Sequence, residues 1–254
     1  APSYFGLLNS GTSIRLNLAD NLDKLRDTRL PVLLPVRSNE YDFADKLIVL
    51  DRSYLGLTHS FTPELHIALN GGYLEEMYGG FGGEILYRPF GKRFAIGAES
   101  WLAMKRDPLS ALNLGFNGDS LLTGHLNAWY EFPGSDMTLK AQAGRYLAED
   151  LGLGLTLARN FDNGVKLEGF TTLSNAADID AFGGTTNAYS GIRMTMPLGG
   201  IKPIPDGSSI KVTAAPFGRD YGQALDNPLP LYEATEPLSY RHITHYWTDI
   251  GKDD

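Results

Sequence analysis

The chain has 254 residues, of which 29 are glycine, none is cysteine and only 20% are charged. That composition excludes collagen-like and charged disordered chains, and the missing cysteines exclude thiolate metal centres, disulfides and a cysteine nucleophile. With 22 Lys and Arg against 30 Asp and Glu the net charge is -8, the wrong sign for neutralising phosphates, so no nucleic-acid partner is expected.

No stretch of about 18 apolar residues occurs, so a membrane-spanning helix is not expected, whereas membrane strands leave only a weak hydropathy signal. In chain order, strands are expected near Ser13 to Ala19, Leu47 to Phe61, Leu65 to Tyr78 and Gly80 to Arg88. The stretch Asp20 to Tyr41, with Pro31, Pro35 and charged clusters, reads as irregular. From Lys92 to Lys105 the pattern becomes plain: Phe94, Ile96, Ala98, Leu102 and Met104 share one face, and Arg93, Gly97, Glu99, Trp101 and Lys105 the other. Such a period of two is that of a strand with unlike faces.

The same alternation recurs five times. Leu122, Leu126, Ala128 and Tyr130 oppose Thr123, His125, Asn127, Trp129 and Glu131, then Met137, Leu139, Ala141 and Ala143 oppose Thr138, Lys140, Gln142 and Tyr146. Leu151, Leu153, Leu155, Leu157 and Phe161 oppose Gly152, Gly154, Thr156 and Asn160, after which Val165, Leu167 and Leu173 oppose Lys166, Glu168 and Thr172. Finally Ile192, Met194 and Met196 oppose Tyr189, Arg193 and Thr195, and a last strand is expected at Ser209 to Pro216. The tail from Asp226 to Asp254 reads as irregular, and Asp253-Asp254 is not the aromatic ending of a barrel strand.

An antiparallel sandwich alternates in the same way. Two features favour a barrel. The strands run about ten to fourteen residues instead of the usual five or six, and at ~3.3 Å per residue with a tilt near 45° that reaches across a bilayer's apolar core. Short glycine turns at Phe90 to Lys92, Pro133 to Asp136 and Asp162 to Gly164 largely alternate with longer stretches at Arg106 to Ser120 and Ser174 to Thr186, Ala148 to Asp150 being the one short exception, and outer-membrane barrels carry short turns on one rim and longer loops on the other. The fold expected is therefore all-β, an antiparallel transmembrane β-barrel of roughly 12 strands, forming one domain over 1–254 or the C-terminal part of a longer protein.

At Gly71 to Glu99, GGYLEEMYGGFGGEILYRPFGKRFAIGAE, the sequence resembles the YjbH family of outer-membrane exopolysaccharide biosynthesis proteins. The likeness continues through LNLADNLDK (Leu16 to Lys24), KRDP (Lys105 to Pro108), TGHLNAWYEF (Thr123 to Phe132), GRYLAEDLGLGLTLARNFDNGV (Gly144 to Val165) and APFGRDYGQAL (Ala215 to Leu225). The resemblance implies a bacterial outer-membrane barrel in the secretion or assembly of an extracellular polysaccharide. Its partners would be that polysaccharide, outer-membrane lipid and periplasmic or lipoprotein components of the export pathway, with another polypeptide completing the barrel as an open alternative. It carries over no catalytic residue.

Candidate chemistry is weak beside this. His242 and His245 could share a metal only on a helix, and neighbouring His59 and Ser60 point to opposite faces of a strand. Glu75 and Glu76 are split in the same way, and Asp178 with Asp180 reads as a solvated loop. No metal, cofactor or catalytic group is expected. Structural docking of partner proteins and a lipid- or glycan-modifying barrel enzyme stand as alternative functions. The residues expected to face a glycan in the lumen are Glu99, Trp101, His125, Lys140, Gln142, Tyr146, Glu168 and Arg193. Those expected to face lipid are Leu153, Leu155, Leu157, Ile192 and Met194.

Overall fold

A computed structural model describes residues 8–17, 35–44, 46–179, 184–198, 208–216, 218–239 and 242–243. Eleven strands run in chain order: β1 Leu8–Leu16, β2 Ile48–Thr62, β3 Leu65–Tyr73, β4 Tyr78–Tyr87, β5 Phe94–Arg106, β6 Phe116–Glu131, β7 Met137–Arg145, β8 Leu151–Asn160, β9 Lys166–Ile179, β10 Thr185–Pro197 and β11 Ser209–Ala214. Each pairs antiparallel with its neighbours in sequence, giving one sheet of order β1 to β11. The all-β antiparallel expectation is met. Among the described residues the strands number eleven, where roughly twelve were expected, and no pairing joins β1 to β11, so the sheet they form is not closed. Among the described residues, short helical turns are found at α1 Glu40–Ala44, in a 3-10 turn at Ala111–Asn113, at α2 Leu231–Ala234 and in a 3-10 turn at Glu236–Leu238.

Side-chain alternation decides which surface each strand shows. In β8, Leu151, Leu153, Leu155 and Leu157 are exposed while Gly152, Gly154, Thr156 and Ala158 turn to the other side. Pairing carries this face around the sheet, because Gly97, Asn127, Gln142, Gly154 and Thr172 form one continuous row across five strands. A one-residue slip would turn every leucine inward, so the pattern holds the register.

The contrast between short and long connections is smaller than the sequence suggests. Phe116 to Ser120 is strand, leaving Asp107 to Gly115 as the connection, and β9 and β10 take up most of Ser174 to Thr186. Asn117, Gly118 and Asp119 keep turn character within β6: they fall at a register irregularity against β5, Asn117 Oδ1 accepts from Asp119 N at 3.0 Å, and Gly118 has a φ of 95°.

Two glycines produce a tight bend. Gly72 and Gly80 face each other across β3 and β4 with φ of 135° and 143°, where a side chain is strained. A Cβ on Gly80 would lie 2.0 Å from the Leu102 carbonyl oxygen. Elsewhere glycine makes room for rings lying flat on the inner wall: a Cβ on Gly11, Gly82 or Gly191 would strike Tyr54, Trp101 or Phe170 at 2.6 Å in each case.

The hydrophobic core lies inside the curve of the sheet, where two parts of the chain return to cover it. One cluster joins Val36 and Phe43 to Leu74, Met77, Tyr78, Trp101, Leu147 and Leu225. The other joins Leu231 and Tyr232 to Ala68, Leu86, Ala95 and Trp129. Residues 35–44 and 218–239 are thus an inner filling, although Asp20 to Tyr41 and Asp226 to Asp254, which overlap them, read as irregular from sequence.

Candidate functional site

The inner wall holds all eight residues expected to face a lumen. Glu99 of β5 is their centre: its Oε1 accepts from Gln142 Nε2 at 3.2 Å and lies 3.2 Å from His125 Nδ1, and its Oε2 accepts from Trp101 Nε1 at 3.1 Å. The Tyr146 ring lies against His125 with centroids 4.6 Å apart, and its hydroxyl donates to Gln142 Oε1 at 3.4 Å. These five form one buried group. Glu168 and Arg193 form a second, 3.8 Å apart, with Lys166 2.9 Å from Glu168. Lys140 belongs to neither, its ammonium standing 5.5 Å from the centre of the Trp129 ring. On the opposite surface Leu153, Leu155, Leu157 and Ile192 are exposed, and Met194 is half-buried on the same face.

Bonds from the filling occupy this wall from rim to rim. At the rim carrying the β7–β8 turn, Asp150 Oδ2 accepts from Gly222 N at 2.8 Å, and the Gln223 carbonyl accepts from Leu147 N at 2.9 Å. Asp178 Oδ2 accepts the backbone N–H of Asp220 at 2.9 Å and of Tyr221 at 3.2 Å. Further along, Glu75 Oε2 accepts from Asp226 N, and Glu84 Oε2 accepts from Asn227 Nδ2 at 3.0 Å and Leu231 N at 2.9 Å. At the other rim Arg88 donates to Glu131, to Glu236 and to the Tyr232 carbonyl, at 2.8, 2.8 and 2.9 Å. The two parts of the filling are keyed together by Asp220 Oδ1, which accepts the backbone N–H groups of Val36, Arg37 and Ser38. We call residues 218–239 the strap.

Several expectations change here. Asp178 is no solvated loop residue but an inner-face acceptor in β9, while Asp180 and His245 lie outside the described residues. Glu75 and Glu76 lie in the β3–β4 turn, where Glu75 pairs with Arg37 at 2.9 Å and Glu76 with Arg15. Ser60 bonds His66 Nδ1 at 2.8 Å across the β2–β3 hairpin and makes no pair with His59, whose ring packs edge-on against Phe61. Among the described residues no three His, Asp or Glu side chains are grouped to hold a metal ion. The strap's partners escaped sequence reasoning because carboxylates receiving backbone N–H groups leave no local spacing to read. The alternation in β4 that puts Glu84 inside with Leu86 was the one available signal.

The arrangement defines a class: a two-sided antiparallel sheet, apolar outside and polar inside, with its own chain laid along the polar face. Residues 6–237 match the family model YjbH, described as exopolysaccharide biosynthesis protein YbjH, and the chain belongs to that family. It is 32% identical over 238 residues to a protein of Escherichia coli (strain K12) named uncharacterized lipoprotein YjbH, covering 92% of this chain and 34% of the relative. The chain thus spans about a third of that relative's length. No solved structure matches.

Proposed function

We propose that this chain forms the wall of a bacterial outer-membrane β-barrel that takes part in exopolysaccharide secretion or assembly and is not itself a catalyst. The observation that carries the reading is the outer face. Leu69, Leu126, Leu153 and Ile192 are 55, 69, 47 and 58% exposed there, part of an apolar surface that spreads over successive strands, whereas soluble monomers rarely show contiguous apolar patches above a few hundred Å². Strands of 13 and 16 residues in β5 and β6 reach far enough, when tilted, to cross an apolar core of ~25 Å. Closure of the wall, edge to edge or through another polypeptide pairing with β1 and β11, is part of the proposal. So are the export partners, periplasmic or lipoprotein, and the contact of the inner residues with polysaccharide.

Leu155 and Thr156 are adjacent in β8 and face opposite ways, so arginine at each separates membrane from solvent. A Lys or Arg on the lipid face at mid-bilayer costs roughly 2–4 kcal/mol. Leu155→Arg is expected to abolish assembly into outer-membrane fractions and with it extracellular polysaccharide, while Thr156→Arg assembles. Equal assembly of both would refute the membrane reading.

A second reading is favoured by the strap: a barrel filled by its own chain is a docking scaffold that conducts nothing. Polysaccharide export from cells whose strap has been cross-linked to the wall separates the two, since a conduit stops and a scaffold continues.

A further inference from the structure

The strap does something specific at the rim formed by the β4–β5 and β6–β7 turns. Its Tyr232 ring is stacked on Trp129 with centroids 4.8 Å apart and an angle of 1° between planes. On its far side the Arg88 guanidinium sits 4.3 Å from the Tyr232 centroid. Two acids of the strap meet wall cations: Glu236 accepts from Arg88 at 2.8 Å, and Glu233 lies 3.7 Å from Lys166. Without those three side chains the wall around Trp129 would present a flat indole with Arg88, Lys140, Lys166 and Arg193, against the carboxylates of Glu131 and Glu168. Glu84 and Glu99 belong to a deeper row, level with His125 and four residues along β6 from Trp129.

We propose that this wall is a binding site for a carboxylate-bearing sugar unit of an acidic polysaccharide, and that Tyr232, Glu233 and Glu236 occupy it as an internal stand-in for that ligand. The inference deepens the exopolysaccharide reading and rests on it. A pyranose presents an apolar face of C–H groups that stacks on an indole as Tyr232 does, leaving its substituents at the edge. A uronate carboxylate would take the place of the Glu236 carboxylate on the Arg88 guanidinium, whose planar fork matches it. Lys140, over the Trp129 ring, and Lys166, beside Glu233 and four residues along β9 from that row, supply further cations for the next acidic unit. A neutral glycan gains the stacking but not the charge, so the site discriminates between the two.

Because ligand and strap compete, the observed affinity is the intrinsic one reduced by the fraction of molecules with the strap lifted. The test uses the whole chain in detergent micelles, with hexagalacturonate as acidic probe, maltohexaose as neutral probe and titration calorimetry as readout. Tyr232→Ala combined with Glu233→Gln and Glu236→Gln is expected to raise the apparent affinity for hexagalacturonate at least about tenfold, and the released variant is expected to bind hexagalacturonate more tightly than maltohexaose. Adding Trp129→Ala is expected to remove the gain. The native chain has no cysteine, so Glu84→Cys with Asn227→Cys, bridged by a short bismaleimide, locks the strap down. The locked protein is expected to bind neither probe, and its unbridged form to bind hexagalacturonate. Both arms lack the Glu84 bonds to Asn227 and Leu231, so the bridge is the one difference between them. Equal binding by bridged and unbridged forms, an unchanged affinity in the released variant, or equal affinity of the released variant for the two probes would each overturn the site. Those failures leave the Leu155→Arg and export results untouched, so loss of the acidic-sugar site is distinguishable from loss of the barrel reading.

Discussion

Glu76 is 15% exposed at the rim, paired with Arg15. Burial pushes its carboxyl up to about 7, against the opposing pull of Arg15, and Asp51 and Glu40 add to the rise. In the unfolded chain it titrates near 4.3 to 4.5. Between those values the folded protein keeps a proton that the unfolded chain has released, so stability is present below about pH 4.5 and is lost as the pH rises through about 7. Thermal midpoints of wild type and Glu76→Gln, measured in detergent from pH 5 to pH 8, are expected to diverge, the variant losing less stability over that window by up to about one proton's slope. Parallel curves would show that Glu76 does not titrate there. Residues of this kind mark a limit of sequence reading. The doublet Glu75-Glu76 was visible, but its partners Arg15 and Arg37 lie 61 and 38 positions away, and no local spacing announces them.

The strands were legible because their information is local. Alternation in β5 to β7 placed Glu99, Trp101, His125, Lys140, Gln142 and Tyr146 on one face, and the pairing gathers all of them but Lys140 around the Glu99 carboxylate. The glycine turn at Asp162 to Gly164 marked the β8–β9 hairpin for the same reason. The extents of β6 and β9 were less legible, since Asn117 to Asp119 keep their own turn bonding inside β6, at an irregularity in its pairing with β5. Within the strands, glycines divide into two kinds. Gly80 is strained for any other residue and has no room, whereas Gly169 in β9 has ordinary backbone and open space around its Cα. Gly80→Ala is expected to cost at least about 1–3 kcal/mol and to lower the midpoint by several degrees. Gly169→Ala is expected to change stability by less than about 1 kcal/mol. A similar loss at both positions, in melts monitored by circular dichroism, would show that the bend at β3–β4 does not depend on glycine.

At the scale of the molecule, wall and filling differ in how far along the chain their contacts reach. Every strand pairs with its immediate neighbour in sequence, so the sheet can grow one hairpin at a time with little loop-closure entropy at each step. The strap obeys the opposite rule, because the bonds from Asp220 to Val36 and from Arg88 to Thr235 span 184 and 147 residues. Contacts that close such long loops become favourable only once the surface they join exists. The order of folding follows: the hairpins form first, and residues 218–239 seat last, on a wall already built. Refolding from urea into detergent is expected to show strand signal by circular dichroism before Trp129 registers the stacking of Tyr232, with Tyr232→Ala removing only the later fluorescence phase. Simultaneous phases would contradict that order. A segment that arrives last leaves first when the native state opens locally, so the part of the chain that guards the Trp129 wall is also the part that can be lifted without unravelling a single strand.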